Sequence, residues 1–277
     1  MACYLVIANQ KLDGGAHDLR SIDTKNQYLY YECEIHNHQE YIDLLAFCRK
    51  FFAEGIAIGV RPQSFKPQAI FFDFDSTVIQ EESFVEVAKL LGLEELIEKV
   101  TNKAMAGEIT FVTSFKKRLK LLQGLSQEKI MSVVDQCTFT KGLVDFANTC
   151  KQQQIPLFVI SGGLKIIAEK VCQKIGITGL CANEIEIKQG VITGEPKGDM
   201  VDENYKLGWV KQTCADYSFN LSSVVAVGDG ANDKQMLSAA GIGVGFSPKK
   251  VLWPYIDVFN GFGDHGFMKY FLGLDFS

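Results

Sequence analysis

Asp73 and Asp75 stand two residues apart at the end of the apolar run Ala69–Phe72. Side chains alternate along a strand, so the two carboxylates project the same way. Paired like this they repel, and each raises the other's pKa unless a cation sits between them. A hard divalent cation such as Mg²⁺ is the natural partner for such oxygens. Ser161-Gly162-Gly163 follows a second apolar run, 155–160, and leads into a helix. A hydroxyl, free backbone amides and a helix dipole at one point make a cradle for an oxyanion or phosphate. A third run, 224–227, ends in Gly228-Asp-Gly-Ala-Asn-Asp233. Its glycines allow close backbone approach, and Asp229 and Asp233 add hard oxygens. Each motif alone is compatible with a solvated turn. Together they supply a nucleophile with a metal, an anion cradle, and further metal and positioning groups.

Continuous apolar runs of this length suit strands buried on both faces, as in a parallel sheet covered by helices. In open α/β sheets the ligand crevice lies at the carboxyl ends of the strands, where all three motifs fall. Further strand signals cover 241–246 and a hairpin, 183–188 with 191–193, turning at Gln189-Gly190. Between the first and second runs lies a helical stretch, roughly 81–140. Phe84, Val87, Ala88 and Leu91 mark one amphipathic helix; Leu96, Ile97 and Val100 mark another. Phe111, Phe115, Leu119 and Leu122 mark a third, and Arg118 lies on or beside that stripe. An inward guanidinium needs an anionic partner, whereas one that snorkels to water does not. Both readings stay open for Arg118. Lys206 falls near the start of a later helix, where the plain expectation is a solvated lysine.

Residues 1–66 read as a separate, small α+β module. Leu29, Tyr31, Cys33 and Ile35 alternate with polar neighbours, and Tyr41, Leu45, Cys48 and Phe52 recur at helical spacing before Gly55. A short strand follows at 56–60, and 61–67, with two prolines, reads as a linker. The module shows no chemistry of its own; regulator binding, pairing with a second copy as a homodimer, and simple packing all remain open. The net charge of −5 offers no electrostatic footprint for nucleic acid. No apolar run approaches the ~20 residues of a membrane span. The N-terminus lacks the basic start of a signal peptide. Eight cysteines are scattered with no Cys-x-x-Cys, so they read as reduced core thiols of a cytoplasmic protein rather than a zinc or redox site. His36 and His38 have no further ligand nearby and read as surface residues.

In their order, Asp73-Phe-Asp-Ser-Thr77, Lys-Ala-Met-Ala-Gly107, Phe111 with Lys-Arg118, Ser161-Gly-Gly163, Lys206 and Gly228-Asp-Gly-Ala-Asn-Asp233 resemble the haloacid dehalogenase superfamily of phosphohydrolases. Within it the likeness is to enzymes acting on phosphoserine, and it runs from about residue 67 to the C-terminus. The implied fold is α/β: a Rossmann-like parallel sheet with a helical cap insertion at about 81–140, preceded here by the N-terminal module. By resemblance, Asp73 is the nucleophile and Asp75 the general acid and base. Mg²⁺ is held by Asp73, the Asp75 carbonyl, Asp229 and Asp233. Ser161, Gly162 and Lys206 hold the phosphoryl oxygens, with Asn232 helping. In the cap, Arg118 takes the substrate carboxylate and Glu82 its ammonium, with Glu81 as the alternative one residue away. Met105 and Phe111 close the pocket. The implied reaction is hydrolysis of a small-molecule substrate, L-phosphoserine, at the end of serine biosynthesis. Action on another small phosphoester, or transfer to another acceptor, remains the alternative. A receiver-type signalling domain is disfavoured by the cap and the second carboxylate, a mere binding protein by the full set of carboxylates.

Overall fold

A computed structural model describes residues 2–12, 20–25, 28–105 and 108–274, except for the side chains of residues 2, 3, 20–25 and 105. The chain opens with β1 (Ala2–Ala8), β2 (Arg20–Lys25) and β3 (Tyr28–Ile35), then α1 (His38–Ala53) and β4 (Ile58–Pro62). Asn37 caps α1 by accepting from the Glu40 amide, and Leu44, Leu45, Cys48 and Phe51 face inward. Next come β5 (Ala69–Phe72) and four helices, α2 (Ser83–Lys89), α3 (Glu94–Met105), α4 (Phe111–Leu121) and α5 (Gln127–Met131). The α/β rhythm resumes with α6 (Leu143–Gln152), β6 (Leu157–Leu164), α7 (Lys165–Gln173), β7 (Gly179–Lys188) and β8 (Val191–Lys197). It closes with α8 (Glu203–Tyr217), β9 (Val224–Gly228), α9 (Lys234–Ala239), β10 (Ile242–Phe246), β11 (Val258–Asn260) and α10 (His265–Phe271).

The strands form one sheet in the order β2-β3-β1-β4-β11-β10-β9-β5-β6-β7-β8. From β11 through β7 the pairings are parallel. β5, β9 and β10 are buried along their whole length, which explains their unbroken apolar runs. The consequence for chemistry lies in the order β9-β5-β6. Those three neighbours bring the three motif-bearing loops to one end of the sheet. The cap helices leave the sheet after β5 and return before α6. No helix among the described residues is long and apolar enough to cross a membrane.

The first 66 residues do not stand apart. β4 pairs antiparallel with β11, Val258 opposite Gly59, so the N-terminal strands extend the main sheet. The reason is that β4 is buried on both faces: Ile58 and Val60 on one are fully buried, and on the other the Phe271 ring lies where a side chain on Gly59 would go. Arg61, expected in a linker, lies within this strand, buried, with Nε donating to the Phe271 carbonyl at 2.6 Å. Two cap residues also differ from expectation. Leu96 is exposed because α3 turns Ile97 inward instead, and Leu91 lies beyond α2, in a turn closed by Gly92 at φ +65°.

Candidate active site

β5 leads directly into Asp73, whose amide donates to the Val227 carbonyl of β9 at 2.8 Å, pinning the first and third loops together. Asp202 caps α8 by accepting from the Tyr205 amide, and the first turn then carries Lys206 beneath these loops. There the lysine is fully buried, with Nζ 2.6 Å from Asp73 Oδ1 and 2.7 Å from Asp233 Oδ1. Burial alone would lower its pKa, but the Asp233 and Asp73 charges outweigh that and raise it, so it stays an ammonium. Asp233 Oδ2 accepts from the amides of Asp229 and Gly230, both at 3.2 Å. Asp229 Oδ2 pairs with Lys249 Nζ at 3.0 Å, and the Lys249 amide donates to the Asp229 carbonyl, also at 3.0 Å. Burial, then the charge of Asp73, raises the pKa of Asp229.

Asp73, Asp229 and Asp233 each place a carboxylate oxygen within 4.8 Å of the others. Three hard anionic oxygens this close suit a divalent cation of the Mg²⁺ type. Asp73 Oδ2 and Asp229 Oδ1 make no hydrogen bond among the described residues, whereas both oxygens of Asp233 are engaged. The open oxygens are therefore on Asp73 and Asp229, and Asp233 fits the role of their support.

On the opposite side of Asp73, Ser161 is buried within β6, which runs on through Gly162 and Gly163 instead of ending in the expected turn. The pairing with β7 breaks register between Ser161 and Leu164, and Ser161 Oγ accepts from the Gly163 amide at 2.9 Å. Gly163 must be glycine, since a Cβ there would lie 2.7 Å from Asp75 Oδ2. Asp75 Oδ1 accepts from the Ser83 amide at 2.8 Å. Burial first, and then the charge of Glu82, push the Asp75 carboxyl up to about 7, near a general acid's working range. Asn183 holds the Gly162 carbonyl through Nδ2 at 2.9 Å and accepts from the Val201 amide at 2.8 Å.

The cap closes over this floor. The Phe111 ring lies against Gly162, 3.0 Å from where its Cβ would be. Arg118 points inward, its guanidinium 4.5 Å from the centre of the Phe84 ring, and its buried Nε has no hydrogen-bond partner. Burial lowers its pKa, opposed by the charges of Asp75 and Glu82. Glu82 faces the cleft and accepts from Ser76 Oγ at 3.0 Å; burial of its surroundings and the charge of Asp229 raise its pKa. Glu81 is committed elsewhere, both oxygens accepting from the Thr138 amide at 3.1 and 2.9 Å. Asn232 is half-buried, its Oδ1 packed on Gly230. The side chain of Met105 lies outside the described residues. Lys249 and Asn183 carried no sequence signal: each is a common residue type outside any motif, and only the fold brings it to the site.

The profile of the haloacid dehalogenase-like hydrolases matches residues 70–238, and the chain belongs to that family. Among curated relatives, it is 35% identical over 193 residues to the phosphoserine phosphatase of Methanocaldococcus jannaschii, covering 70% of this chain and 92% of that protein. It is 30% identical over 218 residues to the phosphoserine phosphatase of Haemophilus influenzae, covering 77% and 69%. Among solved structures, a phospho-aspartyl intermediate analogue of phosphoserine phosphatase aligns with a TM-score of 0.69 at 34% identity, over 74% of this chain and 99% of that one. A haloacid-dehalogenase-family hydrolase from Salmonella enterica serovar Typhi aligns with a TM-score of 0.86 at 24% identity, over 98% of each chain, so its likeness of fold includes the N-terminal strands.

Proposed function

We propose that the chain is a phosphoserine phosphatase that hydrolyses L-phosphoserine through an aspartyl phosphate on Asp73. The observation that carries the substrate is the pairing of charges in the cap. Arg118, inward and short of a partner, faces the same cleft as the carboxylate of Glu82. A cation for a carboxylate and an anion for an ammonium select a zwitterion. The sequence and structural relatives above support the same substrate.

In the first step an oxygen of Asp73 attacks phosphorus, and the bond from phosphorus to the serine oxygen breaks. Asp75, whose raised pKa leaves a large share of it protonated near neutrality, gives its proton to that oxygen. In the second step Asp75 takes a proton from water, the water oxygen attacks phosphorus, and the bond to Asp73 breaks. Ser161, the Gly162 amide and Lys206 hold the phosphoryl oxygens, with Asn232 helping to position them. Asp73, Asp229, the Asp75 carbonyl and, through its support, Asp233 would hold Mg²⁺, which supplies positive charge to the phosphoryl oxygens. Phe111 on Gly162 excludes water, a task the resemblance also assigns to Met105. Residues 67–277 form the catalytic unit with its cap, and residues 1–66 support the sheet edge. Cys48, Cys137, Cys150, Cys172, Cys181 and Cys214 are free thiols, which supports a cytoplasmic setting, with serine biosynthesis as the pathway.

The test is phosphate release with Mg²⁺ from L-phosphoserine, phosphothreonine, a sugar phosphate and p-nitrophenyl phosphate. Phosphoserine is expected to be preferred by kcat/KM. Asp73→Asn abolishes turnover of all four, and Arg118→Ala raises KM for phosphoserine by tenfold or more while p-nitrophenyl phosphate is affected far less. Equal losses on both substrates in Arg118→Ala would remove the zwitterion reading and leave only the chemistry.

A further inference from the structure

Ser76 follows Asp75 in the loop after β5, with its backbone at φ +57°. L side chains adopt this left-handed region only at a cost that glycine does not bear. The other described non-glycine residues with positive φ are Gln154, Gln189, Ser218 and Ser247, which lie just after α6, in the β7–β8 turn, just after α8 and just after β10. Ser76 alone among them sits inside a catalytic motif, where a strained residue persists when its side chain has a task.

Its contacts show what that task is. The Ser76 hydroxyl donates to Glu82 Oε1 at 3.0 Å, and the Ser76 amide donates to the Glu81 carbonyl at 3.3 Å. Glu82 occupies the N-cap position of α2, where a side chain ordinarily turns back to the helix amides. It makes no such bond, and the Ser83 amide is taken by Asp75 instead. The Glu82 carboxylate is thereby drawn toward the catalytic loop. Oε2 makes no hydrogen bond among the described residues and stays open to the cleft.

We propose that Ser76 is a positioning residue for substrate specificity: its hydroxyl fixes Glu82 Oε1 so that the carboxylate meets the ammonium group of the substrate. The assignment rests on the phosphoserine reading above. A hydroxyl that merely closed the loop would act on the nucleophile and would affect every phosphoester alike. One that acts through Glu82 affects only substrates carrying an amine.

Ser76→Gly separates the two, because glycine keeps φ +57° without strain while removing the hydroxymethyl group that reaches Glu82. Steady-state kinetics with Mg²⁺ would be run on L-phosphoserine and p-nitrophenyl phosphate, for wild type, Ser76→Gly, Glu82→Gln and the double variant. Loss of a hydrogen bond to a charged group is expected to raise KM for phosphoserine about tenfold. The kcat for phosphoserine, and both constants for p-nitrophenyl phosphate, should move less than about threefold. In the Glu82→Gln background the same change should add almost nothing, because the two residues act through one contact. Equal losses on both substrates, or full additivity with Glu82→Gln, would overturn the assignment while leaving the phosphoserine reading intact. A wild-type enzyme with no preference for phosphoserine would overturn both.

Discussion

Replacing Lys206 by methionine asks how much of the fold depends on one buried ammonium. Methionine keeps most of the side-chain volume, so the change is chiefly one of charge. In the wild type Lys206 touches Asp73 at 2.6 Å and Asp233 at 2.7 Å and has no exposed surface. Removing one member of a buried ion pair typically costs about 3–5 kcal/mol, because its partner is left charged and unpaired. One feature sets this case toward the lower end: Asp233 retains the amides of Asp229 and Gly230 as donors to its carboxylate. The expected loss is therefore about 3–4 kcal/mol, which a domain with 5–15 kcal/mol of stability can survive folded. Urea unfolding followed by circular dichroism in EDTA would measure it. Lys206→Met with Asp233→Asn should recover about half, since the double variant no longer buries that charge. The pH dependence gives a second check. With Lys206 gone, Asp233 binds a proton more readily folded than unfolded, so the deficit should shrink as pH falls. A Lys206→Met protein within about 0.5 kcal/mol of wild type in EDTA would refute the buried-pair reasoning, whatever its activity.

His265 is fully buried, its ring stacked on Phe246 at 4.3 Å and Nε2 3.0 Å from both the Thr77 carbonyl and Thr140 Oγ1. Burial pulls its pKa down from 6.5 to about 4, so between those values the unfolded chain binds the proton first. Its contribution is complete above about pH 6.5 and lost as pH falls toward 4, a difference of about 3 kcal/mol. His265→Phe should flatten the fall in urea midpoint between pH 7.5 and 4.5; identical slopes in the two proteins would contradict this. Lys249 grips Asp229 through both its amide and its ammonium, and partners of metal-binding carboxylates typically contribute 10–100-fold in affinity. Calorimetric titration of Lys249→Met with Mn²⁺ should show binding weakened about tenfold and largely restored in Lys249→Arg. Unchanged affinity in the methionine variant would reduce Lys249 to a surface ion pair.

What could be read from the sequence, and what could not, divides along a physical line. The strands carrying Asp73, Ser161 and Asp229 were visible because a strand buried on both faces must be apolar throughout, and each ends in its own chemical groups within a few residues. Their adjacency was not visible, because it depends on the order β9-β5-β6, which no local pattern encodes. The same limit governs single residues. Lys206 looked solvated from its helix alone, and only the loops of β5 and β9 bury it. Arg118 fits two readings on its helix alone, and the Phe84 ring beside its guanidinium and the buried, unpartnered Nε select the inward one. At 61–67 the prolines argued for a linker, whereas β4 is held by β11, some 200 positions away. Lys249, Asn183 and the bond from Ser76 to Glu82 belong to the same class: ordinary residue types whose roles lie in their partners. The reacting groups had to sit together in short motifs to be recognised, but the groups that aim them reach the site from separate strands and loops. Substitutions at those supporting positions therefore test the geometry of the site most directly, because they leave every reacting group in place.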